Sequence, residues 1–132
     1  MKQLLPLLAL LFFTCASIAA QQKAHKHNKP VHSSTVKTGT ASYYAAKFQG
    51  KQMANGQKFD QTKLTAACNV LSLGTWVKVS NLRNKKSVIV RITDRMHPKN
   101  KRLIDVSKAA AQKLGFVGRG LTKVKVEVVE KP

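Results

Sequence analysis

Acidic residues are the scarcest chemistry in this chain: 5 Asp and Glu stand against 24 Lys and Arg in 132 residues. The shortage narrows any search for a carboxylate that holds or moves a proton, because only Asp60, Asp94 and Asp105 precede the final stretch of the sequence. Cysteine is almost absent too. Cys15 lies in an N-terminal segment of its own character and Cys68 stands alone after it, so no internal disulfide braces a fold that begins beyond that segment. Long apolar runs are missing. Leu4 to Phe13 is apolar but shorter than the ~20 residues that cross a bilayer as a helix. No internal repeat is present, and nothing indicates a metal or organic cofactor. His25, His27 and His32 fall in a polar stretch where adventitious metal binding, but no structured metal site, is expected.

What is present begins with an export pattern. Met1-Lys2 gives a positive start, Leu4 to Phe13 an apolar centre, and Ala16-Ser17-Ile18-Ala19-Ala20 a small-residue stretch suited to cleavage after Ala20. This is the layout of a secretory signal peptide over residues 1–20, which places the protein in the periplasm or cell envelope. Cys15 raises lipid attachment as the minor alternative. It is preceded by Phe12, Phe13 and Thr14, where lipoprotein signals place small residues. Residues 21–37, rich in lysine, histidine and serine, read as a disordered basic linker. One domain, residues 38–130, follows.

The formal net charge of +19 suits a surface that attracts polyanions. An exported protein meets little nucleic acid in normal function. The anions of a bacterial envelope are teichoic acids, lipopolysaccharide and the carboxylates of peptidoglycan, and the plainer alternative is a solvated lysine surface that selects nothing.

Alternation of apolar and polar residues marks strands. Thr40 to Tyr44 opens one. Thr75 to Leu82, with Val77, Val79 and Leu82 on one face, and Ser87 to Thr93, with Val88, Val90 and Ile92, form a hairpin around Asn84-Lys85-Lys86. Thr122 to Val129 is a half-buried closing strand. Ser107 to Leu114 reads as a short helix, with Ser107 as N-cap and Gly115 closing the C-terminus. The pattern gives an all-β domain of about six short strands with one short helix. By itself it does not separate a closed barrel from a sandwich.

Ordered segments add more. Gly39-Thr40-Ala41-Ser42-Tyr43-Tyr44, Phe48-Gln49-Gly50-Lys51, Ala54-Asn55-Gly56-Gln57-Lys58-Phe59-Asp60, Leu64-Thr65-Ala66-Ala67-Cys68, Leu71-Ser72-Leu73-Gly74-Thr75, Val79-Ser80-Asn81-Leu82, Val90-Arg91-Ile92-Thr93-Asp94-Arg95 and Ile104-Asp105-Val106-Ser107-Lys108-Ala109-Ala110 together resemble the RlpA (rare lipoprotein A) family. The resemblance runs from Gly39 to Val129 and implies a six-stranded double-psi β-barrel. It also implies cleavage of peptidoglycan strands between N-acetylmuramic acid and N-acetylglucosamine, in some members on strands stripped of peptides. Similar barrels in expansins bind wall polysaccharide without cutting it.

The resemblance places a glutamate where this chain has Gln57 and a histidine where it has Cys68, and it retains Asp94. Gln57 hydrogen-bonds but carries no transferable proton. Cys68 reads first as a small packed residue. Lytic transglycosylation uses the substrate's own 6-hydroxyl as nucleophile, so one carboxyl group can serve first as acid and then as base. Elimination also favours Asp94. Asp105 reads as a hydrogen-bond acceptor near the helix start, Asp60 as a turn residue or a sugar contact, and Asp94 ends a strand that makes a rigid platform. The bland reading of Asp94 is an ion pair with Arg91 or Arg95. Substrate contacts are expected from Gln57, Asn55, Asp60, Arg95 and Tyr44, with Tyr43 and Trp76 either facing sugar or packed in the core. His97 falls near the same loop but is not expected to be catalytic. The expected partner is the glycan strand, met by a monomer, and two readings stand: a transglycosylase using Asp94, or a degenerate, expansin-like binding module.

Overall fold

The structure is a computed structural model that describes residues 35–132. The expected signal peptide, Cys15 and nearly all of the expected linker lie outside the described residues. Six strands form a closed barrel: β1 (Val36–Tyr43), β2 (Thr65–Ala67), β3 (Trp76–Asn81), β4 (Ser87–Asp94), β5 (Ile104–Val106) and β6 (Thr122–Val129). Around the barrel the order is β1-β5-β2-β4-β3-β6. The β1–β5 and β2–β4 pairs are parallel and the other four antiparallel. Among the described residues one α-helix, α1 (Lys108–Leu114), follows β5, and a 3-10 turn spans Ala46–Phe48.

Alternation decides which side chains fill the barrel. Val77, Val79, Val88, Val90, Ile92, Val124 and Val126 point inward and are joined by Ile104, Val106, Leu114 and Phe116. Burying an aliphatic side chain of this size contributes about 1.5–3 kcal/mol, which lets so small a domain stand without a disulfide. The expected hairpin is present as β3–β4, with Val77 opposite Val90 and Val79 opposite Val88. Ser107 caps α1 by accepting from Ala110 N at 3.3 Å. Gly115 ends it in the left-handed conformation at φ 72°, which favours glycine.

Three expectations are corrected. β1 begins at Val36, inside the expected linker 21–37, because the valine-rich β6 extends the ladder: Val36 lies opposite Glu127 and Val128 N donates to Thr35 O at 3.1 Å. Asn81, not Leu82, takes the inward position that ends β3, and Leu82 is exposed. The amide wins because every bond it needs is met. Asn81 Nδ2 donates to Leu114 O at 2.9 Å and its Oδ1 accepts from the Thr122 hydroxyl at 2.8 Å and from Arg83 N at 3.0 Å, tying hairpin, helix and last strand together. Thr93, expected on the polar face, is buried. The turn at 53–57 packs over it, and its hydroxyl reaches Met53 Sδ at 3.3 Å.

Candidate active site

β4 carries Asp94 to the rim of the barrel. Ala67 on β2 lies in register with Asp94 on one side and with Asp105 of β5 on the other. The ladder shifts by one residue between Ala66 and Ala67, which brings Asp94 rather than Thr93 level with Ala67. Two aspartates thus flank one small residue at the floor of a groove of about 550 Å³, lined also by Tyr44, Phe48, Arg95, His97 and Arg102.

The Asp94 carboxylate is held by three donors. Oδ1 accepts from Ala54 N at 2.8 Å and from Arg95 N at 2.8 Å, and Oδ2 accepts from the Tyr44 hydroxyl at 2.7 Å. The Ala54 bond, with Asn55 N on Thr93 O at 3.2 Å, fastens the 53–57 turn to the end of β4. The bland ion-pair reading is overturned. Among the described residues the salt bridges are Arg102–Asp105 and Lys125–Glu127. Arg91 instead lies over the Trp76 ring, 5.8 Å from its centroid. Arg95 donates its guanidinium to the carbonyls of Cys68 and Leu71.

Tyr44 is not free to stack on a sugar. It is buried, its ring lies 3.9 Å from that of Phe59 at 14°, and Phe48 meets it edge-on. Its hydroxyl is the part turned to Asp94. Burial first, and the bond to Asp94 second, push its pKa far above the usual tyrosine range. It therefore stays a neutral hydroxyl, able to donate to a carboxylate or accept from a carboxylic acid.

The other expected site residues divide. Asn55 and Gln57 bond to each other: Asn55 Nδ2 donates to Gln57 Oε1 at 3.1 Å and Gln57 N to Asn55 Oδ1 at 3.0 Å. They shape the turn above Asp94, and Gln57 lines a neighbouring groove, not that of Asp94. Asp60 closes a turn by accepting from Thr62 N at 2.9 Å and its hydroxyl at 2.8 Å, bonds that hold its pKa below the usual carboxylate value. Arg95 spends donors on the 68–71 loop, although it also borders the groove. Tyr43 packs edge-on against Phe116 and donates to Val117 O at 3.0 Å. Cys68 is fully buried, as expected of a packed residue. His97 borders the groove, its Nδ1 accepting from Lys99 N at 3.1 Å.

Asp105 is corrected. It does not serve the helix start, where Ser107 and Gln61 do the capping, Gln61 Oε1 accepting from Lys108 N at 2.8 Å. It is instead clasped by Arg102 at 2.8 and 2.9 Å in a two-pronged pair beside Asp94. The spacing Arg102 to Asp105 was the available signal in the sequence, but an isolated three-residue strand gives no pattern to place it.

Comparison with known proteins shows the family. The family model described as lytic transglycolase matches residues 36–126. The chain belongs to this lytic transglycolase family. Relatives of this family include proteins named endolytic peptidoglycan transglycosylase RlpA from Neisseria meningitidis, 48% identical over 92 residues, and from Pseudomonas aeruginosa, 49% identical over 92 residues. These alignments cover 70% of this chain but only 38% and 27% of those relatives. The fold is shared with the Streptomyces papain inhibitor, at TM-score 0.60 and 24% identity over 73% of this chain and 96% of that one. It is shared too with a Clavibacter michiganensis expansin, at TM-score 0.59 and 21% identity over 74% of this chain and 52% of that one. The barrel is thus of the double-psi kind.

Proposed function

We propose that the protein is an exported endolytic transglycosylase that cleaves the bond between N-acetylmuramic acid and N-acetylglucosamine in peptide-poor glycan strands, leaving 1,6-anhydro ends. The observation that carries this reading is the Asp94 carboxylate, held by three donors at an open groove with no cation paired to it among the described residues. Protonated on Oδ2, Asp94 gives its proton to the glycosidic oxygen that leaves with N-acetylglucosamine. As the muramic 6-oxygen bonds to the anomeric carbon, the Asp94 carboxylate takes the proton from that hydroxyl. The residue ends as it began, and no water is consumed. Two backbone N–H groups can only donate to Oδ1, so the travelling proton belongs to Oδ2. Tyr44 suits both stages because its hydroxyl reverses from donor to acceptor. Tyr44 is a positioning residue; Asp94 is the catalytic one.

Gln57 supports a second reading, a wall-binding barrel that does not cut, because the RlpA resemblance puts a glutamate there and an amide moves no proton. The test is incubation of the purified protein with peptide-free glycan strands, followed by mass spectrometry. Products ending in 1,6-anhydromuramic acid support the enzyme. Intact strands together with co-sedimentation of protein and sacculi support the binding module, and product gained only in Gln57→Glu would locate the missing proton carrier at that turn.

A further inference from the structure

Next to the Asp94 groove, on the outer face of the barrel, lies a second groove of about 700 Å³ lined by Gln57, Lys63, Leu64, Trp76, Ile89 and Arg91 among others. Thr65, Arg91 and Trp76 form one row across β2, β4 and β3. The Trp76 indole is part-exposed and carries the Arg91 guanidinium over its ring at 5.8 Å. Arg91 and Lys63 are exposed and neither forms a salt bridge among the described residues. No acidic side chain lines the groove, and Pro132, the last residue, borders it without a salt bridge to Arg91 or Lys63. An aromatic ring with a guanidinium over it, a second cation without a salt bridge and an amide are the equipment for a sugar ring that bears a carboxylate.

Position ties this groove to the first. Arg91 and Asp94 are three residues apart on one extended strand, so they lie about 10 Å apart along it, the reach of a disaccharide. We propose that this groove is a second glycan subsite that takes an acidic sugar, its ring against the exposed part of Trp76, its carboxylate on Arg91 and Lys63 and its N-acetyl group on Gln57. The inference rests on the glycan-cleaving reading above and adds a register device to it. A lactyl carboxylate recurs once per disaccharide in the glycan strand, so gripping one presents the next bond of the same kind to Asp94. In strands that still carry peptides that carboxylate is locked in an amide, so the subsite also selects stripped strands.

Trp76 is the single tryptophan of the chain, so its fluorescence reports on this groove alone. The experiment titrates the full protein and Asp94→Asn with a peptide-free tetrasaccharide of alternating N-acetylglucosamine and N-acetylmuramic acid, and with chitotetraose, which lacks carboxylates. The expected result is a saturable change in emission with the acidic tetrasaccharide at about tenfold higher affinity than with chitotetraose, and loss of that preference in Arg91→Gln, as befits one charge-assisted hydrogen bond. An unchanged emission while calorimetry registers binding would overturn the subsite, as would equal affinities in Arg91→Gln and the parent or tighter binding of a phosphate polymer of similar length. The two proposals fail separately. Emission changes without cleavage remove the enzyme and keep the subsite; cleavage without a Trp76 response does the reverse.

Discussion

Replacing Tyr44 with phenylalanine removes one atom, the hydroxyl oxygen 2.7 Å from Asp94 Oδ2. The ring keeps its stack on Phe59 at 3.9 Å, so no cavity opens in the small cluster formed by Tyr44, Met53, Phe59 and Ala67. A hydrogen bond to a charged acceptor is worth about 1.5–3 kcal/mol. Asp94 is part-exposed, so water recovers some of this, and the net cost is about 1–2 kcal/mol. For a domain of this size that lowers Tm by about 5–10 °C, read by calorimetry. Turnover on peptide-free strands falls about tenfold or more with KM unchanged, because Tyr44 steadies the proton-carrying oxygen without touching sugar. An unshifted Tm would show that the bond contributes nothing. A rise in KM at constant kcat would show that Tyr44 binds substrate instead of orienting Asp94.

Other outcomes follow from the same contacts. Because Tyr44 has its folded pKa raised above 10.0, its contribution is complete below pH 10.0 and is lost as the pH climbs beyond that value. Urea midpoints of the parent should therefore fall toward those of Tyr44→Phe in alkali, and parallel curves would refute this. Gly115→Ala places a Cβ 2.9 Å from Asn84 Nδ2 at φ 72° and displaces the bond from that nitrogen to Leu114 O. The expected cost is about 2 kcal/mol in denaturant unfolding; a loss under 0.5 kcal/mol would mean that the helix end yields freely.

The long alternating strands were legible because each has one face in the core, and a period of two survives any neighbour. β3, β4 and β6 are of this kind, and α1 announced itself through Ser107 and Gly115. β2 and β5 were not, since three residues make no period and their identity comes only from the strands on either side. The site followed the same rule. Asp94 stood out because acids are few and it ends a strong strand. Its partners did not, since the Tyr44 hydroxyl and Ala54 N reach it from 50 and 40 residues away. The expected sugar platform at Tyr44 failed because a second aromatic, Phe59, had already claimed its face. The expected clamp at Arg95 is partly spent because loop carbonyls without other donors lie closer to it.

The central claim is that one carboxyl group, Asp94, moves the proton. Asp94→Asn is the direct test because its geometry survives: the amide oxygen still accepts from Ala54 N and Arg95 N, and the Tyr44 hydroxyl turns to accept from the new NH₂. Both proteins are incubated with peptide-free glycan strands and the 1,6-anhydro ends are counted by mass spectrometry. The account predicts such ends from the parent and none above background from a folded Asp94→Asn. Anhydro ends accumulating at comparable rates from both would contradict it.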